Sequence, residues 1–296
     1  MRSSSAGLNR GMAVMLAGGL ICAACAGYQP VAGSRFRGER ALSDVAAQMS
    51  FGPRPAGSAA SVQTAEWIED QLTEAGWETS HQEFEAYGIT YRNILGKLGP
   101  SSEAPILLGA HYDTRPRADQ DPVDPDLPVP GANDGASGVA VLLELARVLP
   151  AEAAGRQVWI VFFDGEDGGK IDGRPWRVGS TAFVESLQVT PEAVVIVDMV
   201  GDADLQLPIE GNSDAALAEE IWEVAAELGM PAFQAPGRHL MVDDHLSFLE
   251  QGIPAVDIID FDYPYWHTAQ DTLDKVSAGS LEQVGRVLEA WLVGPQ

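Results

Sequence analysis

Hydrophobic positions along the chain follow two patterns. Short, almost wholly apolar runs at 105–110, 158–163, 193–197 and 254–259 have the length of strands buried on both faces. Other stretches repeat apolar residues every three or four positions, as helices do. Leu42, Val45, Ala46 and Met49 mark a helix over 40–49. Val62, Ala65, Trp67, Ile68 and Leu72 predict an inward face over 61–75, stopped by Gly76. Val139, Leu142, Leu143, Ala146 and Leu149 predict another over 135–149, and further helices are expected at 179–187, 213–228, 243–251 and 280–293. The segments 78–87 and 90–98 predict two strands joined near Gly88, and 205–209 a further short strand. Helices that alternate with buried strands predict a three-layer α/β/α sandwich around a mostly parallel sheet, which the hairpin makes mixed.

The 296 residues are 46% hydrophobic and 21% charged, the balance of a globular chain. The formal charge of -25 argues against nucleic acid or an anionic lipid surface as partner. The first residues need separate treatment. Arg2 and Arg10 precede an apolar, small-residue run over 11–24, too short to span a bilayer comfortably, which ends at Ala23-Ala24-Cys25. This resembles a bacterial lipoprotein signal with Cys25 as the lipidated residue, although Cys22 stands where an aliphatic is usual; an ordinary secretory signal or an uncleaved anchor are the alternatives. The expected organisation is a signal segment 1–25, a tether 26–39 and one domain 40–296. It places the protein outside the cytoplasm, periplasmic or at the cell surface, with the membrane reached only through the lipid anchor. Cys22 and Cys25 are the only cysteines, so the domain itself forms no disulfide.

The candidate chemistry gathers where the apolar runs stop. The run 158–163 gives way to Asp164-Gly165-Glu166-Asp167-Gly168-Gly169, which is either a solvated acidic turn or carboxylates delivered to the sheet edge where α/β folds place their sites. His111 and Asp113 follow another run, Asp198 a third, and His267 lies in the loop after the last; Asp134 stands at a helix start. Each has a bland reading: His111 as a satisfied strand-end histidine, Asp134 as a helix cap, Asp198 as a turn acid, Asp243 and Asp244 as partners of a helix dipole. Together they have the composition of a hydrolytic zinc site built from nitrogen and oxygen donors. The long Pro- and Asp-rich loop 115–131 is a further functional signal. A Gly-x-Ser-x-Gly elbow and glycine-rich phosphate loops are missing from the sequence.

Four ordered motifs carry a family likeness: Gly109-Ala110-His111-Tyr112-Asp113-Thr114, Gly131-Ala132-Asn133-Asp134-Gly135-Ala136-Ser137-Gly138, Phe163-Asp164-Gly165-Glu166-Asp167 and His267-Thr268. They resemble the zinc-dependent aminopeptidase-like (M28-type) family from about residue 40 to the end. Val242-Asp243-Asp244-His245, the stretch 252–257 and Trp266 directly before His267 make the likeness greatest to glutaminyl-peptide cyclotransferases of the animal and bacteroidete type. The resemblance implies one zinc on Asp134, Asp167 and His267, and Glu166 as proton shuttle. Asp198 and Asp243 would form a carboxyl network beside Glu166, and Trp266, Trp176 and Tyr263 would line the substrate pocket. In aminopeptidases of the family a second zinc would use His111, Asp134 and Asp198, all present here. Asp167 departs from the pattern, since most of the family has Glu there.

The expected reaction is conversion of an N-terminal glutamine of a peptide or protein to pyroglutamate with release of ammonia. The alternatives are a two-zinc aminopeptidase and an inactive peptide-binding module of the same fold.

Overall fold

The structure, a computed structural model, describes residues 34–101, 104–150, 157–234 and 239–294. The expected signal segment 1–25, the expected lipidation site Cys25 and the expected tether up to residue 33 lie outside the described residues. In the stretch 26–39, residues 34–39 already belong to the folded body. The Ser34 hydroxyl donates to Glu289 at 2.6 Å, Phe36 is buried against Gly285, and α1 begins at Gly38.

The elements run α1 (Gly38–Ser50), α2 (Ala59–Glu74), β1 (Glu78–Ala86), β2 (Ile89–Leu98), β3 (Ile106–His111), α3 (Ala136–Val148), β4 (Val158–Phe163), α4 (Val178–Ser186), β5 (Ala193–Asp198), α5 (Ala215–Glu227), α6 (His245–Leu249), β6 (Ala255–Ile259) and α7 (Ala278–Val293). The six strands form one sheet in the order β1-β2-β4-β3-β5-β6. β3 pairs in parallel with both β4 and β5, and β5 with β6, whereas β1, β2 and β4 pair antiparallel. The mixed sheet is therefore as the patterning predicted.

Strand alternation sorts the core into two layers. Ile106, Leu108, Ala110, Ile160, Phe162, Val195, Val197, Val256 and Ile258 face one cluster, which buries α1, α2, α3, α5 and α7. Leu107, Trp159, Val161, Phe163, Val194 and Ile196 face the other, under α4 and α6.

Two sequence expectations fail. Residues 205–209 form no strand: the Gln206 amide donates to the Asp260 carboxylate and the Leu207 amide to the carbonyl of Ala232 in a short 3-10 helix, so their hydrogen bonds do not go to a sheet edge. Val62, expected inward, is 44% exposed, because the buried stripe of α2 runs through Ser61, Thr64, Ala65, Ile68 and Leu72. Among the described residues no helix is long and apolar enough to cross a membrane.

The strand order also fixes where a site can form. From β3 the chain moves through α3 to β4 on one side, then through α4 to β5 on the other side of β3. Such a reversal opens a crevice at the carboxyl ends of β3, β4 and β5.

Candidate metal centre and active-site pocket

β3 ends in His111, buried to 1% exposure, whose Nε2 lies 3.1 Å from Asp198 Oδ1 at the end of β5 and 3.3 Å from Asp134 Oδ1 before α3. The sequence left Asp134 open as a helix cap. It is not one: the cap position is Gly135, with φ 93°, and no side chain caps the helix. A side chain at Gly135 would press on the His111 ring and the Asp113 carbonyl, so glycine serves both the backbone conformation and the approach. Asp134 itself is held through its backbone, whose N–H donates to Asp271 Oδ2 at 3.1 Å, and its carboxylate is left to the site.

The turn after β4 delivers the two acids that follow it. Gly165, at φ 78°, reverses the chain, and the Asp113 carboxylate accepts the amides of Glu166 at 3.0 Å and Asp167 at 3.2 Å. One buried carboxylate thus sets the shape of the turn. Arg115 grips it from the other side, donating from Nη1 to the carbonyls of Asp167 and Gly169 at 3.1 and 3.3 Å. With the backbone held this way, the short Asp167 side chain reaches to 3.0 Å from His267 Nε2, which also lies 3.6 Å from Asp134 Oδ2.

His267 adopts φ 56°, a conformation unusual for a side-chain-bearing residue. Trp266 stacks on its ring with centroids 3.7 Å apart, and Trp176 lies nearly parallel to it at 6.0 Å. Trp176 is also covered by the Arg115 guanidinium, 5.0 Å from the ring centroid.

Two donor sets result, His111–Asp134–Asp198 and Asp134–Asp167–His267, each with ligand atoms within 4.8 Å of one another and all buried. Asp134 belongs to both. Its Oδ2 and both carboxylate oxygens of Asp167 are buried and receive no well-directed hydrogen bond among the described residues, although His267 Nε2 stands 3.0 Å from Asp167 Oδ1. Buried carboxylate oxygens without donors require a cation or a proton. Nitrogen and oxygen donors at this density suit zinc, and the residues present fit it.

The electrostatics follow from the crowding. Burial and then the Asp243 charge hold the Glu166 carboxyl well above the usual range. Burial and Asp134 raise Asp167 to about 6, while burial and Asp198 raise Asp243 to about 7. Burial pushes Asp134 up too, but His111, His267 and Arg115 outweigh it and its carboxyl lies below the usual value. Burial disfavours the His111 imidazolium, yet Asp198, Asp113 and Asp134 outweigh it and shift the ring upward from its usual value.

Asp134, Glu166, Asp198, Asp243 and His267 line one cavity of about 170 Å³, with Trp176, Phe261 and Trp266 as aromatic walls. That is small beside the roughly 300–1,000 Å³ of pockets for larger ligands, and suits a single residue. Tyr263, expected at the wall, does not line it. It is buried, and its hydroxyl donates to Asp271 Oδ1 at 2.7 Å, which places it behind Asp134 as a buried phenol that needs an acceptor. Sequence reading passed over Arg115 and Asp271 and gave Asp113 no task. Asp113 and Arg115 stand within four residues of His111, but nothing in their spacing shows which amides and carbonyls they meet.

The profile of peptidase family M28 matches residues 93–292. A glutaminyl-peptide cyclotransferase of Gloydius blomhoffii is 25% identical over 266 residues, 75% of this chain and 72% of its own length. Among solved structures, the glutaminyl cyclase of Porphyromonas gingivalis superposes with a TM-score of 0.81 at 33% identity, over 87% of this chain and 98% of the other. A leucine aminopeptidase precursor from Bacteroides thetaiotaomicron superposes with a TM-score of 0.83 at 29% identity, over 89% of this chain and 99% of the other.

Proposed function

The chain belongs to peptidase family M28, and on that premise we propose that it is a glutaminyl-peptide cyclotransferase acting on peptide and protein N-termini. The observation that carries this reading is the small, aromatic-walled cavity in which Trp266 packs on His267 beside the buried Glu166. Its size suits one side chain, and a substrate side chain seated between these rings would displace water from Glu166, the condition under which an amine wins over water as nucleophile. The similarity to known cyclases supports it.

Asp134, Asp167 and His267 would hold one zinc, which when bound supplies a Lewis acid for an amide carbonyl oxygen. In the proposed reaction Glu166 takes a proton from the α-amine of the N-terminal glutamine. The α-nitrogen forms a bond to the side-chain carboxamide carbon, the bond from that carbon to the amide nitrogen breaks, and Glu166 returns the proton to the departing ammonia. Asp198 and Asp243 share the cavity with Glu166, and the Asp243 carboxylate opposes ionisation of Glu166 and holds its carboxyl high, as a proton carrier needs. Trp266, Trp176 and Phe261 wall the side chain. Export with a lipid on Cys25 belongs to the same proposal, and the mass of the mature chain from a membrane fraction reads it.

The convergence of His111 and Asp198 on Asp134 favours a second reading, a two-zinc aminopeptidase. Purified protein given Gln-peptides and Leu-anilide, with zinc counted by elemental analysis, separates the two. Pyroglutamate formation with one zinc per chain is expected. Leucine release with two zincs would sink the cyclase reading, and no turnover of either would leave a binding module. Glu166→Gln should abolish cyclisation and keep the zinc; loss of both would show that Glu166, not Asp167 alone, holds the metal.

A further inference from the structure

Asp243 lies in the cavity wall on a loop, and a loop carboxylate needs something to hold it. Glu210 comes from a different part of the chain, between β5 and α5, and lines no part of the cavity. Its side chain is nonetheless fully buried and surrounded by donors. Oε1 accepts the Met241 amide at 2.9 Å and the Asn212 amide at 3.0 Å. Oε2 accepts the Ser213 amide at 2.8 Å and its hydroxyl at 3.0 Å, and lies 3.2 Å from His245 Nε2. Met241 stands two residues before Asp243 and His245 two residues after it. One carboxylate therefore grips the chain on both sides of Asp243.

Neighbouring contacts reinforce the grip. Asn212 Nδ2 donates to the Met241 carbonyl at 2.9 Å, and the Gly211 amide to the His239 carbonyl at 2.7 Å. On its far side the His245 ring faces Asp257, with Nδ1 3.7 Å from Oδ2. The segment 210–213 is itself fixed to β6, since the Ser213 hydroxyl accepts the Asp257 amide at 3.0 Å. The stitching runs from the sheet through Glu210 to the wall of the cavity.

We propose that Glu210 is a positioning residue for the reaction: by bridging the Met241 amide and the His245 ring it fixes Asp243 in the wall beside Glu166. This rests on the cyclase reading for the reaction it serves. An ionised carboxylate suits the place because it accepts the Met241, Asn212 and Ser213 amides and the Ser213 hydroxyl, with the His245 ring alongside. Glutamine offers one acceptor oxygen and turns an NH2 group toward either Met241 or His245.

The test is a double-mutant cycle on the full chain with zinc bound, read as kcat and KM for a Gln-peptide. Glu210→Gln should lower kcat roughly tenfold with KM changed less than about twofold, the loss expected when a group is misplaced by a fraction of an ångström. In an Asp243→Asn background the same substitution should cost less than about twofold, because the residue it positions is gone. Zinc content should stay that of the parent. Equal losses in both backgrounds would overturn the proposal and leave Glu210 a purely structural residue. If Glu210→Gln does not fold, Asn212→Ala removes one strut of the same loop and should show the same non-additivity at smaller amplitude; additivity there overturns it equally. Wild-type protein that releases leucine and forms no pyroglutamate would refute the cyclase reading instead, and the cycle would then be read on that hydrolysis.

Discussion

At the scale of single residues the site is held by buried ions whose partners are backbone groups. Arg54 is fully buried, with Nε donating to the Tyr112 carbonyl at 3.1 Å and Nη2 to the Gly131 carbonyl at 2.7 Å, so it ties the loop after β3 to the loop before Asp134. Asp113 and Asp271 do the same from the acceptor side, each taking two consecutive amides of the site. Nothing in the local sequence marks these residues apart from other charged ones, because their partners are distant and are main-chain atoms. Glu210 belongs with them and makes a prediction about pH. Burial pushes its carboxyl up, but His245 and the Met241 and Asn212 amides outweigh this and hold it at about 2, below an ordinary 4.5. A depressed carboxyl stabilises the fold above its unfolded value and loses that contribution as pH falls toward the folded one. Between about pH 4.5 and 2 the wild type should therefore lose stability to urea more steeply than Glu210→Gln. Parallel profiles would show that the carboxylate carries no net stabilisation.

At the scale of elements the boundaries follow from patterning, and the approach distances follow from small residues. The apolar run 158–163 becomes β4 at the same limits, and Gly165 begins the turn that presents Glu166. Helix α3 was legible from its apolar stripe, but its almost complete burial was not, since Glu144 and Ser137 are buried with the rest. Its first turn lies so close to β5 that a Cβ on Gly138 would run into the Val197 carbonyl oxygen. Gly138→Ala should therefore push α3, and Asp134 with it, away from β5. Overpacking of this kind costs about 1–3 kcal/mol. The urea midpoint should fall accordingly and zinc should be held more weakly in competition with a chelator; an unchanged midpoint and affinity would mean the helix yields without moving the site. The absent strand at 205–209 shows the limit of patterning at this scale: an apolar stretch is buried here without a neighbouring edge to pair with.

At the scale of the molecule the acids matter collectively. The chain carries 43 Asp and Glu against 18 Lys and Arg, yet the acids gathered in the two donor sets, Asp134 before α3, Asp167 after β4 and Asp198 at the end of β5, are buried. Bringing so many carboxylates out of water is unfavourable unless a cation is bound, so metal binding and folding should be coupled. At a free zinc concentration a thousandfold above Kd the coupling is worth about 4 kcal/mol. Stripping the metal with a chelator at neutral pH should thus lower Tm by roughly 10 °C for a chain of this size, and added zinc should restore it. A Tm indifferent to chelation would contradict both donor sets as metal sites.

The sequence by itself determined the layer architecture, the strand ends and the chemical class of what stands there. Those depend on hydrophobic period and on the order of motifs, both of which are local or additive along the chain. It also marked Asp134, Glu166, Asp167, Asp198 and His267 as one constellation through their places at strand ends and a helix start, and the resemblance then gave each a role and added Asp243. Only the tertiary structure decided how they meet. The reversal of strand order around β3 brings Asp134 between two histidines, and Arg115 and Asp113 set the turn so that the shorter Asp167 still reaches His267. Tyr263 turns away to Asp271, and Glu210 closes on Met241 and His245. The physical reason is common to all of these: a buried charge is satisfied by whichever donor the fold carries to it, and that partner is chosen by distance in space, which the sequence pattern does not contain.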